Sequence, residues 1–205
     1  DRLPQALQRL LPDDILVRDA AEVPEQFHAT YSAVEKCYRY VIHQSETTLP
    51  FLRNAVWRVR AELDLQAMRA AAEQLVGTHD FRCFESHFPN KATSVRTVKH
   101  LSLTQTGSWQ LWQDFDFPSR TSVAADSREF LCLEISADGF LYNMVRAITG
   151  TLVDVGRGRF SPAQVARMLT DGDRSLAGPT APPQGLYLVN VEYDLENLRP
   201  HRREE

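Results

Sequence analysis

A single cation lies inside an otherwise apolar stretch of the sequence. Arg146 stands between Val145 and Ala147 in the segment 139–156, where apolar residues recur at the spacings of a helix that packs on a core. Burying a guanidinium is costly unless it meets a carboxylate, a phosphate or backbone carbonyls. Arg146 is therefore either half of a structural ion pair or part of a functional site, and this segment alone leaves both open.

Two tyrosines could offer an aromatic surface. Tyr38 and Tyr40 flank Arg39 in the segment 38–43, whose alternating aromatic and β-branched residues are typical of a strand. Both tyrosines should therefore project to one face and Arg39 to the other. Such a pair either packs in the core or stacks on a nucleobase.

The common catalytic and metal-binding motifs are absent from the sequence. We find no GxGxxG, P-loop or GxSxG segment, and no histidine pair at metal-ligand spacing. Cys37, Cys83 and Cys132 are odd in number and lack CxxC spacing, which argues against a zinc site and for a reducing compartment. No apolar run is long enough to span a bilayer. We therefore expect a cytoplasmic protein with no membrane partner.

Two isolated aspartates have simple structural interpretations. Asp138 precedes Gly139 and fits a turn, whereas Asp80 fits a hydrogen-bond acceptor where a helix ends.

Positive charge is concentrated in the middle of the chain. The net charge is −4, yet residues 35–100 hold 10 Lys and Arg against 7 Asp and Glu, an excess of three positive charges. Residues 35–100 could therefore contact phosphates, or they could form an ordinary solvated surface.

Strand and helix patterns interleave along the chain without strict βαβ alternation. The fold class we expect is α+β, with a largely antiparallel mixed sheet flanked by helices. We expect one domain over 1–198, a polar loop over 114–128 and a disordered tail over 199–205. The predicted helices cover 3–11, 64–76, 139–156 and a segment that starts at Ser161 and Pro162, and the predicted strands cover 15–18, 38–43, 55–60, 95–105, 109–115, 129–136 and 186–193.

Six segments, in order along the chain, resemble the tRNA pseudouridine synthase A family. They are LPDDI (11–15), FHA (27–29) with SA (32–33), YRY (38–40), GTHDF (77–81) with Phe84, FLYNMVR (140–146) with GTL (150–152), and APP (181–183) with GLYL (185–188). The stretch 106–128 matches poorly.

The resemblance implies a pseudouridine-synthase-like fold and an enzyme that isomerises uridine to pseudouridine in the tRNA anticodon stem-loop. It implies no metal or organic cofactor, tRNA as the partner, and a homodimer. Carried over by residue, Tyr38 packs on the uracil, Leu186 forms the apolar wall of the pocket, and Arg146 pairs with the catalytic aspartate.

One family segment has no counterpart in this sequence. The family's catalytic aspartate lies in an Arg-Thr-Asp-x-Gly-Val-His segment, and no Asp in these 205 residues matches it. We expect the nucleophilic Asp upstream of Asp1, so that the chain is the larger, C-terminal portion of the enzyme and is inactive alone. The alternatives are a non-catalytic RNA-binding module and a structural α+β domain without an RNA role.

Overall fold

A computed structural model describes residues 2–47, 50–86, 93–107 and 129–196. The chain divides into two compact units, Asp1–Ala33 with Tyr193–Glu205, and Val34–Glu192. The described helices are α1 (Leu3–Gln8), α2 (Leu65–Glu73), α3 (Met144–Gly156) and α4 (Pro162–Asp171), with 3₁₀ turns at Pro50–Leu52, Arg82–Phe84 and Arg174–Leu176. The described strands are β1 (Ala33–Gln44), β2 (Trp57–Val59), β3 (Gly77–Asp80), β4 (Val95–Thr106), β5 (Phe130–Ala137) and β6 (Leu186–Tyr193).

The described strands form one mixed sheet in the order β2-β1-β5-β4-β3, and β6 also pairs with β1. β5 pairs antiparallel with both β1 and β4, and β3 pairs antiparallel with β4. β1 and β2 run parallel, paired through Ile42 and Trp57 and the two residues that follow each. The α+β class and the largely antiparallel sheet are therefore confirmed.

One face of the sheet is covered by helices of the larger unit. Alternate residues of β1 and β5 point to that face, where Tyr40, Ile42 and Leu133 are fully buried together with Ile148 of α3 and Met68 of α2. Every one of the 13 residues of α3 is buried except Arg146. This explains why the helix is apolar on nearly all sides instead of along one stripe.

Helix α3 begins five residues later than the sequence pattern predicts. Asn143 has φ 61° and ψ 9°, a left-handed conformation that cannot belong to the helix. The prediction of one helix over 139–156 is therefore wrong in its first part, and Tyr142 lies outside α3.

Two predicted helix starts are confirmed by their hydrogen bonds. The Asp64 side chain accepts from the backbone N–H of Ala67 at the start of α2. Ser161 and Gln164 form a capping box at the start of α4, with Pro162 at the first helical position. α2 ends at Glu73, three residues before the predicted end.

The remaining strand predictions have mixed outcomes. The predicted strand over 15–18 is wrong, because these residues have no sheet partner. Strand β3 was missed, because Gly77 adopts φ 113° and turns the chain from α2 into an extended segment paired with β4. The predicted strand over 109–115, the loop over 114–128 and the tail over 199–205 lie outside the described residues.

The smaller unit contains α1 and an irregular segment that follows it. Gln8 holds this segment by donating to the carbonyl of Ile15 and accepting from the N–H of Val17. Phe27 packs edge-on against Tyr193 with ring centroids 5.0 Å apart. Among the described residues of the chain, no helix has the length and apolar character needed to cross a membrane.

The close approach of α3 to the segment at Pro179 gives a testable stability prediction. A Cβ at Gly150 would lie 1.8 Å from the Pro179 carbonyl oxygen. Gly150→Ala should therefore lower the free energy of unfolding by about 1–3 kcal/mol, although alanine favours helices. Urea unfolding measures this change. Gly139→Ala is the control, since its Cβ would meet only the Arg96 side chain at 3.6 Å, and equal stability of the two variants would contradict the packing.

Candidate functional site

Tyr38 and Tyr40 share a face of β1 but have different surroundings. Tyr40 is fully buried, and its hydroxyl lies 2.7 Å from the carbonyl oxygen of Pro182, to which it donates, and 3.2 Å from that of Gln184. Tyr38 is only partly buried and meets Phe140 edge-on, with centroids 5.2 Å apart. Of the two open interpretations, Tyr40 is therefore a core residue, while Tyr38 lies where a ligand could reach it.

Arg146 is held by neutral groups. Its Nε donates to the carbonyl of Ala181 at 2.7 Å and its Nη1 donates to Oδ1 of Asn143 at 2.8 Å. The backbone bonds in the other direction, from the N–H of Ala181 to the carbonyl of Arg146 at 3.0 Å. Within the described part of the chain, Arg146 forms no ion pair with a carboxylate. The guanidinium is thus fixed in position, but its charge is not neutralised there.

The charge of Arg146 acts on the neighbouring tyrosine. Burial raises the pKa of the Tyr40 phenol, and the positive charge of Arg146 partly opposes this shift. The two side chains therefore lie close enough to interact. Burial also raises the pKa of the Tyr38 phenol, so both tyrosines stay neutral and can serve as apolar surfaces with polar ends.

Asn143 is a part of the candidate site that the sequence reasoning missed. Its Oδ1 orients Arg146, while its Nδ2 donates to Oγ of Ser86 at 3.0 Å. The backbone N–H of Ser86 in turn donates to the carbonyl of Tyr142. The asparagine inside the predicted helix was the available signal, because Asn tolerates the left-handed conformation better than most residues.

The segment before Leu186 lies against both α3 and β1. The N–H of Gly178 donates to Oγ1 of Thr151 at 2.9 Å. At its other end, the carbonyl of Gly185 accepts from the N–H of Val41 at 2.8 Å. Gly185 has φ 103°, and a Cβ there would lie 2.8 Å from the Val41 carbonyl oxygen, so only glycine fits. Leu186 follows at once, partly buried against the main core.

The three predicted site residues are connected through β1, β6 and the segment that leads into β6. Tyr38 and Leu186 lie on paired strands, β1 and β6, and Arg146 is bonded to the segment that leads into β6. Tyr40 ties the same segment to β1 from the other side. No hydrogen bond joins Tyr38 to Arg146 in the described structure, so they are held at the site independently.

Asp80 and Asp138 both form structural hydrogen bonds. Hydrogen bonds from Arg82 and Ser94 lower the pKa of Asp80, and its Oδ2 accepts from Arg82 Nε at 2.8 Å. Asp80 therefore lies in β3 as a strand-end acceptor, which corrects its predicted place at a helix end. Asp138 accepts from the backbone N–H of Thr97, as a turn residue does. Among the described residues, no group of three or more His, Cys, Asp or Glu could hold a metal ion.

Comparison with known proteins identifies the family. Residues 71–194 match the family described as tRNA pseudouridine synthase. The tRNA pseudouridine synthase A of Thermoanaerobacter sp. (strain X514) is 40% identical over 193 residues, which cover 94% of this chain and 70% of that protein. That of Bacillus subtilis (strain 168) is 42% identical over 194 residues, which cover 95% of this chain and 70% of that protein. The resemblance seen in the sequence motifs is confirmed, and the chain belongs to the tRNA pseudouridine synthase family.

Proposed function

We propose that this chain forms the uridine-binding part of an enzyme that converts uridine to pseudouridine in the anticodon stem-loop of tRNA. The observation that carries the proposal is the state of Arg146, which is fixed by Ala181 and Asn143 and has no carboxylate partner in the described residues. A rigid cation of this kind is suited to pair with a carboxylate that arrives from outside the described structure.

The reaction needs a base that has left the RNA stack. The enzyme breaks the bond between N1 of uracil and the ribose, turns the base and rejoins it through C5, so that N1 gains a proton and C5 loses one. Tyr38 packs on the extruded uracil and Leu186 forms an apolar wall beside it, as base-flipping enzymes require. The neutral phenol of Tyr38 can stack without carrying charge into the pocket.

The role of Arg146 is to keep an aspartate ionised and oriented. A guanidinium within a few ångströms favours the charged form of a carboxyl group and lowers its pKa. The ionised aspartate then acts on the nucleoside, as nucleophile or as base. The bonds to Ala181 and Asn143 hold the guanidinium before the aspartate arrives, so that little conformational entropy is lost when the pair forms.

The aspartate itself is the part of the proposal that this sequence does not contain. No Arg-Thr-Asp segment occurs in the 205 residues, and we propose that the catalytic Asp lies upstream of Asp1. The competing function is a non-catalytic RNA-binding module. Both functions predict tRNA binding, and only the first predicts turnover once an Arg-Thr-Asp segment is joined to the chain.

The assembly and location of the protein are further proposals. We propose a homodimer on the basis of the family resemblance, which sedimentation of the purified protein would test against a monomer. We propose a cytoplasmic location because Cys37, Cys83 and Cys132 are all unpaired thiols, which suits a reducing compartment.

The first functional prediction separates binding from turnover. The 205-residue chain should bind tRNA but release no tritium from tRNA labelled at C5 of uridine, since it lacks the aspartate. Joining the family's Arg-Thr-Asp segment in front of Asp1 gives the aspartate-bearing enzyme, which should release tritium. Turnover by the 205-residue chain alone would refute the proposal that the catalytic aspartate lies outside it. Binding of tRNA without turnover in both forms would favour the RNA-binding module.

The second prediction concerns Arg146 in the aspartate-bearing enzyme. Arg146→Ala should lower kcat by about 100-fold or more, because loss of one partner from a buried ion pair costs about 3–5 kcal/mol. The tRNA dissociation constant should change only a few-fold. Arg167→Ala, at an exposed position of α4, is the control. Equal losses of affinity and turnover on Arg146→Ala would mean that Arg146 only binds the RNA.

The third prediction tests the aromatic surface of Tyr38. Tyr38→Ala should lower kcat/KM by about 5- to 150-fold, the value of one base stacked on an aromatic ring. Tyr38→Phe keeps the ring and its contact with Phe140, so it should stay within a few-fold of the wild type. If both variants lose the same activity, the hydroxyl and not the ring is the important group.

A further inference from the structure

Four arginines surround one surface cavity of the larger unit. The cavity has a volume of about 630 Å³ and lies where β2 and α3 end. Its charged lining consists of Arg58, Arg60, Arg157, Arg159 and Glu62. We call this feature the arginine cavity. None of its arginines takes part in the uridine site described above.

Three of the four guanidiniums are anchored at the cavity. Nη1 of Arg157 and Nη1 of Arg159 both reach Oδ1 of the buried Asp154, at 3.3 and 3.1 Å. Nη1 of Arg58 donates to the carbonyl of Glu46 at 2.9 Å. Each of these bonds uses one nitrogen and leaves the other guanidinium donors available. The arginines are thus positioned without being saturated, which lowers the entropic cost of binding a ligand there.

The local charge favours an anion. Four arginines oppose the carboxylates of Asp154 and Glu62, so the cavity has a net charge of 4 − 2 = +2. Arg60 makes no hydrogen bond or ion pair in the described part of the chain, and it is exposed. Guanidiniums that converge on one space repel each other, and a phosphate offsets that repulsion while accepting bidentate hydrogen bonds.

The arginine cavity and the uridine site lie at opposite ends of the same elements. Arg157 follows Arg146 by 11 residues along α3, about 16 Å at the helical rise. The register of β2 on β1 places Arg60 seven positions along β1 from Tyr38, about 23 Å at the rise of an extended chain. Phosphates repeat along a nucleic acid at much closer intervals than this, so a tRNA stem that is bound at the uridine site and runs toward β2 would present phosphates of other nucleotides to the cavity.

We propose that the arginine cavity binds the phosphate backbone of the tRNA substrate several nucleotides away from the uridine that reacts. This inference rests on the proposed function, because it takes tRNA as the ligand. The interaction is independent of sequence and acts on affinity, since bonds to phosphates position a nucleic acid without reading its bases. Phosphate binding would account for the four arginines that lie together at the ends of β2 and α3 in a chain whose net charge is −4.

The test measures tRNA binding by the full chain over a salt series. Arg60→Gln removes an arginine that has no described partner, and Arg159→Gln leaves Arg157 on Asp154, so both variants should keep the wild-type melting temperature. The double variant should bind tRNA about ten-fold more weakly near 50 mM salt. The slope of log K against log salt should become shallower by about one for each phosphate that the variant no longer binds. Arg167→Gln, the same charge change at an exposed position of α4, should stay within two-fold of the wild type.

Kinetics of the aspartate-bearing enzyme complete the test. The double variant should raise KM and leave kcat at saturating tRNA unchanged. The proposal is overturned if the double variant matches Arg167→Gln in affinity and slope, if its kcat falls with KM unchanged, or if the wild-type chain does not bind tRNA. If the aspartate-bearing enzyme turns over and the cavity variants bind tRNA normally, only the proposal for the arginine cavity is wrong. If the cavity variants lose affinity but no form of the enzyme turns over, the cavity stands and the proposed function fails.

Discussion

The reciprocal bonding between Arg146 and Ala181 is the interaction on which the rest of the site depends. The side chain of Arg146 donates to the Ala181 carbonyl, and the Ala181 N–H donates to the Arg146 carbonyl. This pair of bonds fixes a buried helix to the segment that leads into β6. It requires very close backbone packing, which Gly150 permits against Pro179 and Gly178 permits against Thr151. A side chain at either glycine would push the segment away and release the guanidinium.

The segment that leads into β6 is also bonded to the sheet through β1. The candidate site is therefore built on two packed elements, α3 and β1. Tyr40 buries its ring under the segment and bonds to two of its carbonyls, and Gly185 hydrogen-bonds to Val41. A functional group positioned by packed elements loses less entropy on binding than one on a free loop. The buried Tyr40 is therefore a support for the segment, whereas Tyr38 remains partly exposed.

The sequence predicts those features whose causes are local. β1, β5 and β6 follow from alternating side chains, and the helix starts at Asp64 and Ser161 follow from capping residues a few positions away. The start of α3 was mispredicted because apolar periodicity continues through Asn143, whose left-handed backbone interrupts it. The partner of Arg146 could not be predicted from spacing, because Ala181 is 35 residues away and contributes only a backbone carbonyl. The arginine cavity could not be predicted from the sequence, because about 100 residues separate Arg58 and Arg60 from Arg157 and Arg159, and only the first pair lies in the region with an excess of positive charge.

The central claim is that Arg146 keeps a catalytic aspartate ionised, and the acid limb of the pH–rate profile tests it most directly. Activity that needs the ionised aspartate is lost as the pH falls through the pKa of that group. A neighbouring guanidinium lowers a carboxyl pKa by about 1–3 units. In the aspartate-bearing enzyme, Arg146→Gln should therefore move the acid limb of kcat/KM to higher pH by about 1–3 units. An acid limb at the wild-type pH in that variant would contradict the account.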